Sequence, residues 1–314
     1  MAKFSLRGTV RSLGTGFGFL MSLIQVFDAD IHNHPPGKRY QYLILRELLA
    51  RLENELRSSN LNSDKEIDDR ILDRYTGFLQ DPPDIVPPTE ETIITYTAPR
   101  IGEIYIAERP SLIVSGGTTG LRTWEASLLL SEWILRQDLS GKKVLELGAG
   151  TGLAGIVAAK CGAKVMCTDG SESVVSTVRS NSALNKVQLD ADVLWWGEDD
   201  FILRQQWDYV VGADITYDEE VCSCLVSSYS LALRTGGVGI LAATVRNERT
   251  LEIFIKEYGI ICFSRADCQG SKGLDVESLD VRDVEQHFFR VHPYPMRLYE
   301  LRLARTRAEK DNVD

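Results

Sequence analysis

One segment constrains this chain more than any other: Val144–Gly152, where a short apolar run meets three glycines at alternate positions. The glycines are Gly148, Gly150 and Gly152. Glycine tolerates positive φ and lets a ligand approach the main chain, and ligands of open α/β sheets bind beyond the carboxyl ends of the strands. A dinucleotide-binding loop would need its third glycine at Leu153. This spacing, with Glu146 two residues ahead of the loop, fits a sulfonium nucleoside better than a pyrophosphate.

Short apolar segments alternate with amphipathic ones along the rest of the chain. The predicted strands are Lys143–Leu147, Lys164–Thr168, Val187–Val193, Tyr209–Ala213, Val238–Ala243, Ile260–Ser264 and Leu298–Leu303. One predicted helix begins at Thr123. Three others cover Gly155–Lys160, Glu172–Leu184 and Glu248–Tyr258. This alternation predicts an α/β fold with a doubly wound, mostly parallel sheet, in which the last two strands pair as an antiparallel edge.

The amino-terminal third has a different pattern. Tyr40–Leu56 has apolar residues at helical spacing, and Ile67–Leu79 repeats the pattern before a proline-rich stretch. We therefore expect residues 1–90 to form a helical extension with a proline-rich linker, and residues 91–314 to form the catalytic domain. Strands at Glu91–Arg100 and Glu103–Ile106 would lead into that domain.

Composition narrows the choice of partner. The formal net charge is −10, so a surface that grips nucleic acid is not expected, and an acidic surface suits a basic protein partner. The six cysteines show no paired CxxC groups, so they predict reduced thiols and no metal site. No apolar run is long enough for a bilayer, so we expect no membrane association. The basic first 27 residues leave mitochondrial targeting as the alternative to a cytoplasmic protein.

Two further positions are typical of an adenosine cofactor. Asp169 ends the second strand of the domain, where a carboxylate accepts hydrogen bonds from ribose hydroxyls; otherwise it caps the next helix. Trp195 and Trp196 follow the third strand, and an indole can pack on adenine or attract a sulfonium. Of the two, we predict Trp196 as the cofactor residue.

The fourth strand ends in Ala213-Asp214-Ile215-Thr216-Tyr217, which we call the acceptor tip. The two prolines typical of base methyltransferases are missing here. A carboxylate at Asp214 suits an amine, which it can orient by hydrogen bonds. The alternative is a capping Asp followed by a buried Tyr.

Together these residues make the chain similar to the seven-stranded protein-lysine methyltransferases with a DxxY tip, over about residues 115–305. Gly117–Ala126 resembles the segment that precedes their cofactor domain, and the helical extension resembles the branch acting on translation elongation factor 2. The resemblance implies a class I, Rossmann-like fold and S-adenosylmethionine as cofactor. It also implies that Asp214 and Tyr217 face a target lysine, and that the cofactor pocket is lined by Trp124, Gly148, Ala149, Gly150, Asp169, Trp196 and Ala213.

The expected substrate is thus a protein, with elongation factor 2 as the first candidate. We expect the enzyme itself to be a monomer. Another protein or a small molecule is the alternative acceptor, because one fold hosts many methyl acceptors. A binding module with a vestigial pocket is a further alternative.

Overall fold

The computed structural model describes residues 37–58, 69–83, 91–109, 118–198, 200–234, 236–258, 274–288 and 294–303. The chain divides into two compact units, residues 1–95 with 107–111, and residues 96–106 with 112–314. In the first unit lie helices α1 (Lys38–Ser58) and α2 (Asp69–Gln80), as the apolar spacing predicts. The ring of Tyr42 stacks on Tyr75 with centroids 5.9 Å apart, which joins the two helices.

A two-stranded sheet follows, formed by β1 (Thr92–Ala98) and β2 (Gly102–Glu108). These strands match the two predicted before the catalytic domain. Between them Arg100 and Gly102 have positive φ, which gives the short connection its turn.

The second unit is built on a seven-stranded sheet with helices between its strands. Its elements are α3 (Glu125–Leu135), β3 (Lys143–Leu147), α4 (Leu153–Lys160), β4 (Lys164–Asp169), α5 (Glu172–Leu184), β5 (Asp190–Val193), β6 (Tyr209–Ala213), α6 (Glu219–Leu233), β7 (Val238–Thr244), α7 (Glu248–Glu252), β8 (Leu274–Leu279) and β9 (Met296–Leu303). The strand order is β5-β4-β3-β6-β7-β9-β8. Strands β3 to β7 are parallel to one another, whereas β9 runs antiparallel to both β7 and β8. The predicted doubly wound sheet is confirmed.

Both faces of this sheet are covered, which explains its apolar strands. Alternate residues of β3 belong to two separate clusters of buried side chains, Val144 to one and Leu145 to the other. Parallel sheets require this two-sided burial, because their crossover helices lie on the faces.

The bounds of two predicted elements need correction. The strand predicted over Val187–Val193 pairs only from Asp190, because Val187 still belongs to the turn that ends α5, where its amide donates to Ser182 O. The helix predicted over Glu248–Tyr258 is α-helical only to Glu252 and continues as a π-helix from Ile253 to Tyr258.

An antiparallel edge is present, but the edge strand that pairs with β9 is β8 (Leu274–Leu279) and not the predicted partner Ile260–Ser264. The charged and alternating sequence of β8 did not indicate a strand. The strand predicted at Ile260–Ser264 lies outside the described residues. In the part of the chain that the structure describes, no helix combines the length and apolar character needed to span a bilayer.

Candidate active site

The strand order places the site at the carboxyl end of β3. From β3 the chain moves outward to β4 and β5, then returns to the other side of β3 with β6 and β7. Ligands of doubly wound sheets bind in the crevice at this reversal. The glycine loop follows β3 and the acceptor tip follows β6, and the two strands are hydrogen-bonded neighbours.

The glycine loop depends on glycine at three positions. Gly148, Gly150 and Gly152 have φ values of 65°, 54° and 79°, a region that side chains disfavour. The loop's amides are largely used inside the protein: Ala149 donates to Thr168 O at 2.9 Å, and Gly150 donates to Asp169 Oδ2 at 3.2 Å. A pyrophosphate site would need such amides free to face the ligand. The structure therefore agrees with a cofactor without phosphate groups.

Glu146 supports the loop from below. Its side chain is buried, and Oε2 accepts hydrogen bonds from the Gly155 amide at 3.0 Å and from the Cys167 thiol at 3.2 Å. Burial raises the pKa of Glu146 to about 7, although these two bonds oppose the rise. Glu146 is predicted from the sequence to bind the cofactor, and the hydrogen bonds that the structure gives it join β3 to α4 and β4. The side chain of Ala149 likewise packs in the core.

Asp169, at the end of β4, has the geometry expected of a ribose-binding carboxylate. Each oxygen accepts one backbone bond, Oδ2 from Gly150 and Oδ1 from Ser171, both at 3.2 Å. A carboxylate has about four acceptor positions, so both oxygens keep capacity for hydroxyl donors. Burial raises the pKa of Asp169, and bonds from backbone amides partly offset this.

Trp196 and Ile215 lie against the loop. A Cβ added at Gly148 would be 2.5 Å from Ile215 Cγ2 and 3.1 Å from Trp196 Cζ2, so both side chains pack on the bare backbone. Trp196 is half-buried at this position. Trp195, by contrast, is exposed, next to Gly170. Of the two tryptophans, Trp196 is the one that packs on the glycine loop, and Ile215 joins the acceptor tip directly to that loop.

The segment before α3 covers the loop from the other side. Thr123 and Thr151 share a hydroxyl hydrogen bond of 2.8 Å, and the main chain of Gly120 lies against Gly150. Asn181 of α5 donates to Thr151 O at 2.9 Å and holds the loop from a third direction. Trp124 ends this segment, and its indole nitrogen donates to Thr119 O at 2.9 Å.

Asp214 has an unusual backbone and a crowded carboxylate. Its φ is 55°, which aspartate adopts at tight turns. The side chain is only 5% exposed; Oδ1 accepts from the Thr244 amide at 2.7 Å, and Oδ2 accepts from the Thr244 hydroxyl at 3.0 Å and from the Ala126 amide at 3.4 Å. Because Ala126 lies in the first turn of α3, a helix amino terminus also stabilises this charge.

Arg246, which the sequence analysis missed, forms an ion pair with Asp214 at 3.4 Å and a closer one with Glu125 at 2.9 Å. Its guanidinium carbon lies 4.7 Å from the centre of the Trp124 ring, and that of Arg122 lies 4.4 Å from the same ring. Arg122 also pairs with Glu125 at 3.4 Å. The structure thus adds two guanidiniums and a second carboxylate beside Asp214. A charged residue three positions after the predicted strand Val238–Ala243 is the signal that could have identified Arg246.

The remaining predicted residues occupy the acceptor tip. Ala213 is the last residue of β6 and pairs with Ala242 of β7. The ring of Tyr217 is 61% exposed, so the alternative of a buried Tyr is wrong. An exposed phenol three residues after Asp214 is available to a large partner.

The described residues contain no group of three potential metal ligands. Cys161, Cys167, Cys222 and Cys224 are free thiols. Burial raises the pKa of Cys167 well above its usual range, which leaves it protonated and unreactive.

Comparison with known proteins agrees with these features. A family model described as "Lysine methyltransferase" matches residues 114–258. The protein-lysine N-methyltransferase EFM3 of Chaetomium thermophilum is 32% identical over 266 residues, which cover 76% of this chain and 78% of that protein. The human protein-lysine N-methyltransferase EEF2KMT is 29% identical over 252 residues, 72% of either chain. The mouse EEF1A lysine methyltransferase 3 is 35% identical over 140 residues, 43% of this chain and 60% of the relative.

The residues present fit the cofactor of this family, S-adenosylmethionine. The glycine loop keeps few amides for a phosphate, Asp169 retains acceptor capacity for a ribose, and Trp196 offers an aromatic face beside Gly148. With an acceptor tip packed directly against this loop, the chain belongs to the S-adenosylmethionine-dependent protein-lysine N-methyltransferases.

Proposed function

We propose that the protein methylates a lysine of translation elongation factor 2. The observation that carries the proposal is the position of Asp214, on a tip whose next residue, Ile215, packs against the glycine loop. A methyl acceptor held by this carboxylate would lie beside the cofactor loop. The exposed Tyr217 ring leaves the approach open to a partner as large as a protein.

The choice of elongation factor 2 draws on the relatives. The human relative is named EEF2KMT, a name that refers to this factor, and its match extends over 72% of both chains. The mouse relative named for EEF1A matches over 43% of this chain only. Coverage therefore favours elongation factor 2, and EEF1A is the competing acceptor.

In this proposal the chain's residues orient and enclose the reactants. When bound, S-adenosylmethionine supplies an activated methyl group with a good leaving group. Asp214 aligns the lysine nitrogen through its charge, because its oxygens already accept bonds from Thr244, Ala126 and Arg246. Trp196 and Trp124 exclude water from the approach. Lysine has an ordinary pKa of about 10.4 and must be neutral to attack, so Asp214 acts by orientation and not as a strong base.

The decisive experiment incubates the purified protein with radiolabelled S-adenosylmethionine and, separately, purified elongation factor 2 and EEF1A. We expect label in elongation factor 2 at one lysine, and its loss when that lysine is replaced by arginine. Asp214→Ala should abolish labelling. Its matched control is Asp218→Ala, which removes a nearby carboxylate that caps a helix. Label in EEF1A alone would refute the proposed substrate.

We further propose that the protein works as a monomer in the cytoplasm, where translation factors act. A fluorescent fusion of the full chain should distribute through the cytoplasm. Mitochondrial accumulation would instead favour a targeting role for the basic amino terminus.

A further inference from the structure

The acceptor site has a balanced set of charges that the proposed mechanism does not use. Asp214 and Glu125 contribute two carboxylates, and Arg246 and Arg122 contribute two guanidiniums. The side chain of Arg246 is 33% exposed, compared with 5% for Asp214 and 20% for Glu125. Arg246 is therefore the most accessible member of its network, and it bridges both carboxylates.

This balance matters for a reaction that consumes a neutral amine. Two carboxylates alone would stabilise the ammonium form of an entering lysine, since an opposite charge within about 4–6 Å favours the charged form. A fixed guanidinium between them has the opposite effect. Arginine suits this task because it stays charged at every pH at which an enzyme works.

We propose that Arg246 is a positioning residue that neutralises the acceptor site, so that the target lysine is received as a free amine and not trapped as an ammonium ion. The inference rests on the proposed role of Asp214 as the residue that orients lysine. Arg246 acts through Asp214: its guanidinium contacts both carboxylate oxygens at 3.4 Å, and Thr244 and the Ala126 amide donate to the same oxygens.

Few other charges near Arg246 are placed to perform the same task. On the side of β9, Val245 donates to Pro295 O, beside Tyr294, and Arg297 lies opposite Ala243. Both Tyr294 and Arg297 are exposed, where solvent and salt screen their influence. Arg122 is buried behind Glu125, to which it is already paired. Replacing Arg246 should therefore leave the site with uncompensated negative charge.

The test is the pH dependence of kcat, which reports ionisation within the enzyme–substrate complex. For Arg246→Gln we expect the rising limb of the profile to move to higher pH by about one unit, from Coulomb attraction in a partly exposed site. At pH 7 kcat should fall about tenfold, recover at high pH, and be accompanied by an unchanged or lower KM, because the ammonium form binds better. Arg246→Lys should restore the limb to within a few tenths of a unit.

Arg249→Gln is the matched control, because it removes an arginine whose side chain is 78% exposed and which pairs with Glu219. Its profile should match that of the wild type. The acceptor can be whichever protein the wild type labels in a cell extract, so failure of elongation factor 2 as substrate is seen separately from the Arg246 result. A melting temperature close to that of the wild type shows that each variant is folded.

Two results would overturn the inference. A loss of kcat that is equal at all pH values, with a raised KM, would make Arg246 a structural support only. A gain of activity in Arg246→Gln at neutral pH would show that Arg246 blocks the site and must be displaced by lysine.

Discussion

Replacing Glu146 by glutamine should remove a specific component of the pH dependence of stability. The carboxyl is fully buried, and its pKa rises from 4.5 to about 7. Because the folded pKa lies above the unfolded one, the folded state holds the proton more tightly between these values. The stabilising effect is fully present below pH 4.5, is lost as pH rises towards 7, and is absent above that.

The size of the effect follows from the shift. A difference of about 2.5 pKa units corresponds to about 3 kcal/mol in the free energy of unfolding, at 1.36 kcal/mol per unit. Glutamine has nearly the same shape and can still accept the Gly155 amide bond, but it does not ionise. The variant should therefore gain about 3 kcal/mol relative to the wild type between pH 5 and pH 8, whatever fixed cost the amide group adds.

Urea unfolding of both proteins at half-unit intervals of pH measures this difference directly. Subtracting the two curves cancels the titration of the carboxylates that both proteins share. If the free energies of unfolding of the wild type and of Glu146→Gln differ by the same amount from pH 5 to pH 8, the carboxyl is already ionised at pH 5 and the reasoning fails.

Three further changes test the site and its support. Asp169→Ala should weaken S-adenosylmethionine binding at least tenfold, measured by calorimetry, and an unchanged Kd would exclude this carboxylate as the ribose partner. Gly148→Ala should destabilise the fold by about 2 kcal/mol and weaken cofactor binding, because the residue has a positive φ and the added Cβ would clash with Ile215. Glu132→Ala should cost about 3 kcal/mol on urea unfolding, since the amides of His287 and Phe288 lose a buried acceptor, and a loss under 1 kcal/mol would contradict this.

Most of the sheet could be predicted because its strands are apolar and end at glycine or aspartate. The bounds of β3 and β6 agree with the sequence prediction residue for residue, since burial on both faces leaves little choice of side chain. Strand β8 was missed for the opposite reason. It lies at the sheet edge and reads Leu-Asp-Val-Glu-Ser-Leu, where solvent allows charged residues that resemble a loop.

The site divides in the same way. Gly148, Asp169 and Asp214 could be predicted to lie at one edge of the sheet, because each ends a strand or directly follows one. The hydrogen-bond partners of Glu146 could not be predicted from its position in the sequence, because they lie on other elements. Its partners, Gly155 and Cys167, become neighbours only when β4 pairs with β3.

The network around Arg246 required the strand order itself. Arg246 and Asp214 are 32 positions apart and meet because β6 and β7 are parallel neighbours, with Ala213 opposite Ala242. Glu125 joins them from a helix 121 positions before Arg246 in the sequence. Parallel strands bring their carboxyl-end residues to one edge of the sheet, and here the arginine that follows β7 meets the aspartate that follows β6. Asp214 alone would suggest a site that attracts a charged lysine. The assembled edge instead has two carboxylates and two guanidiniums, a balance that suits methyl transfer to a free amine.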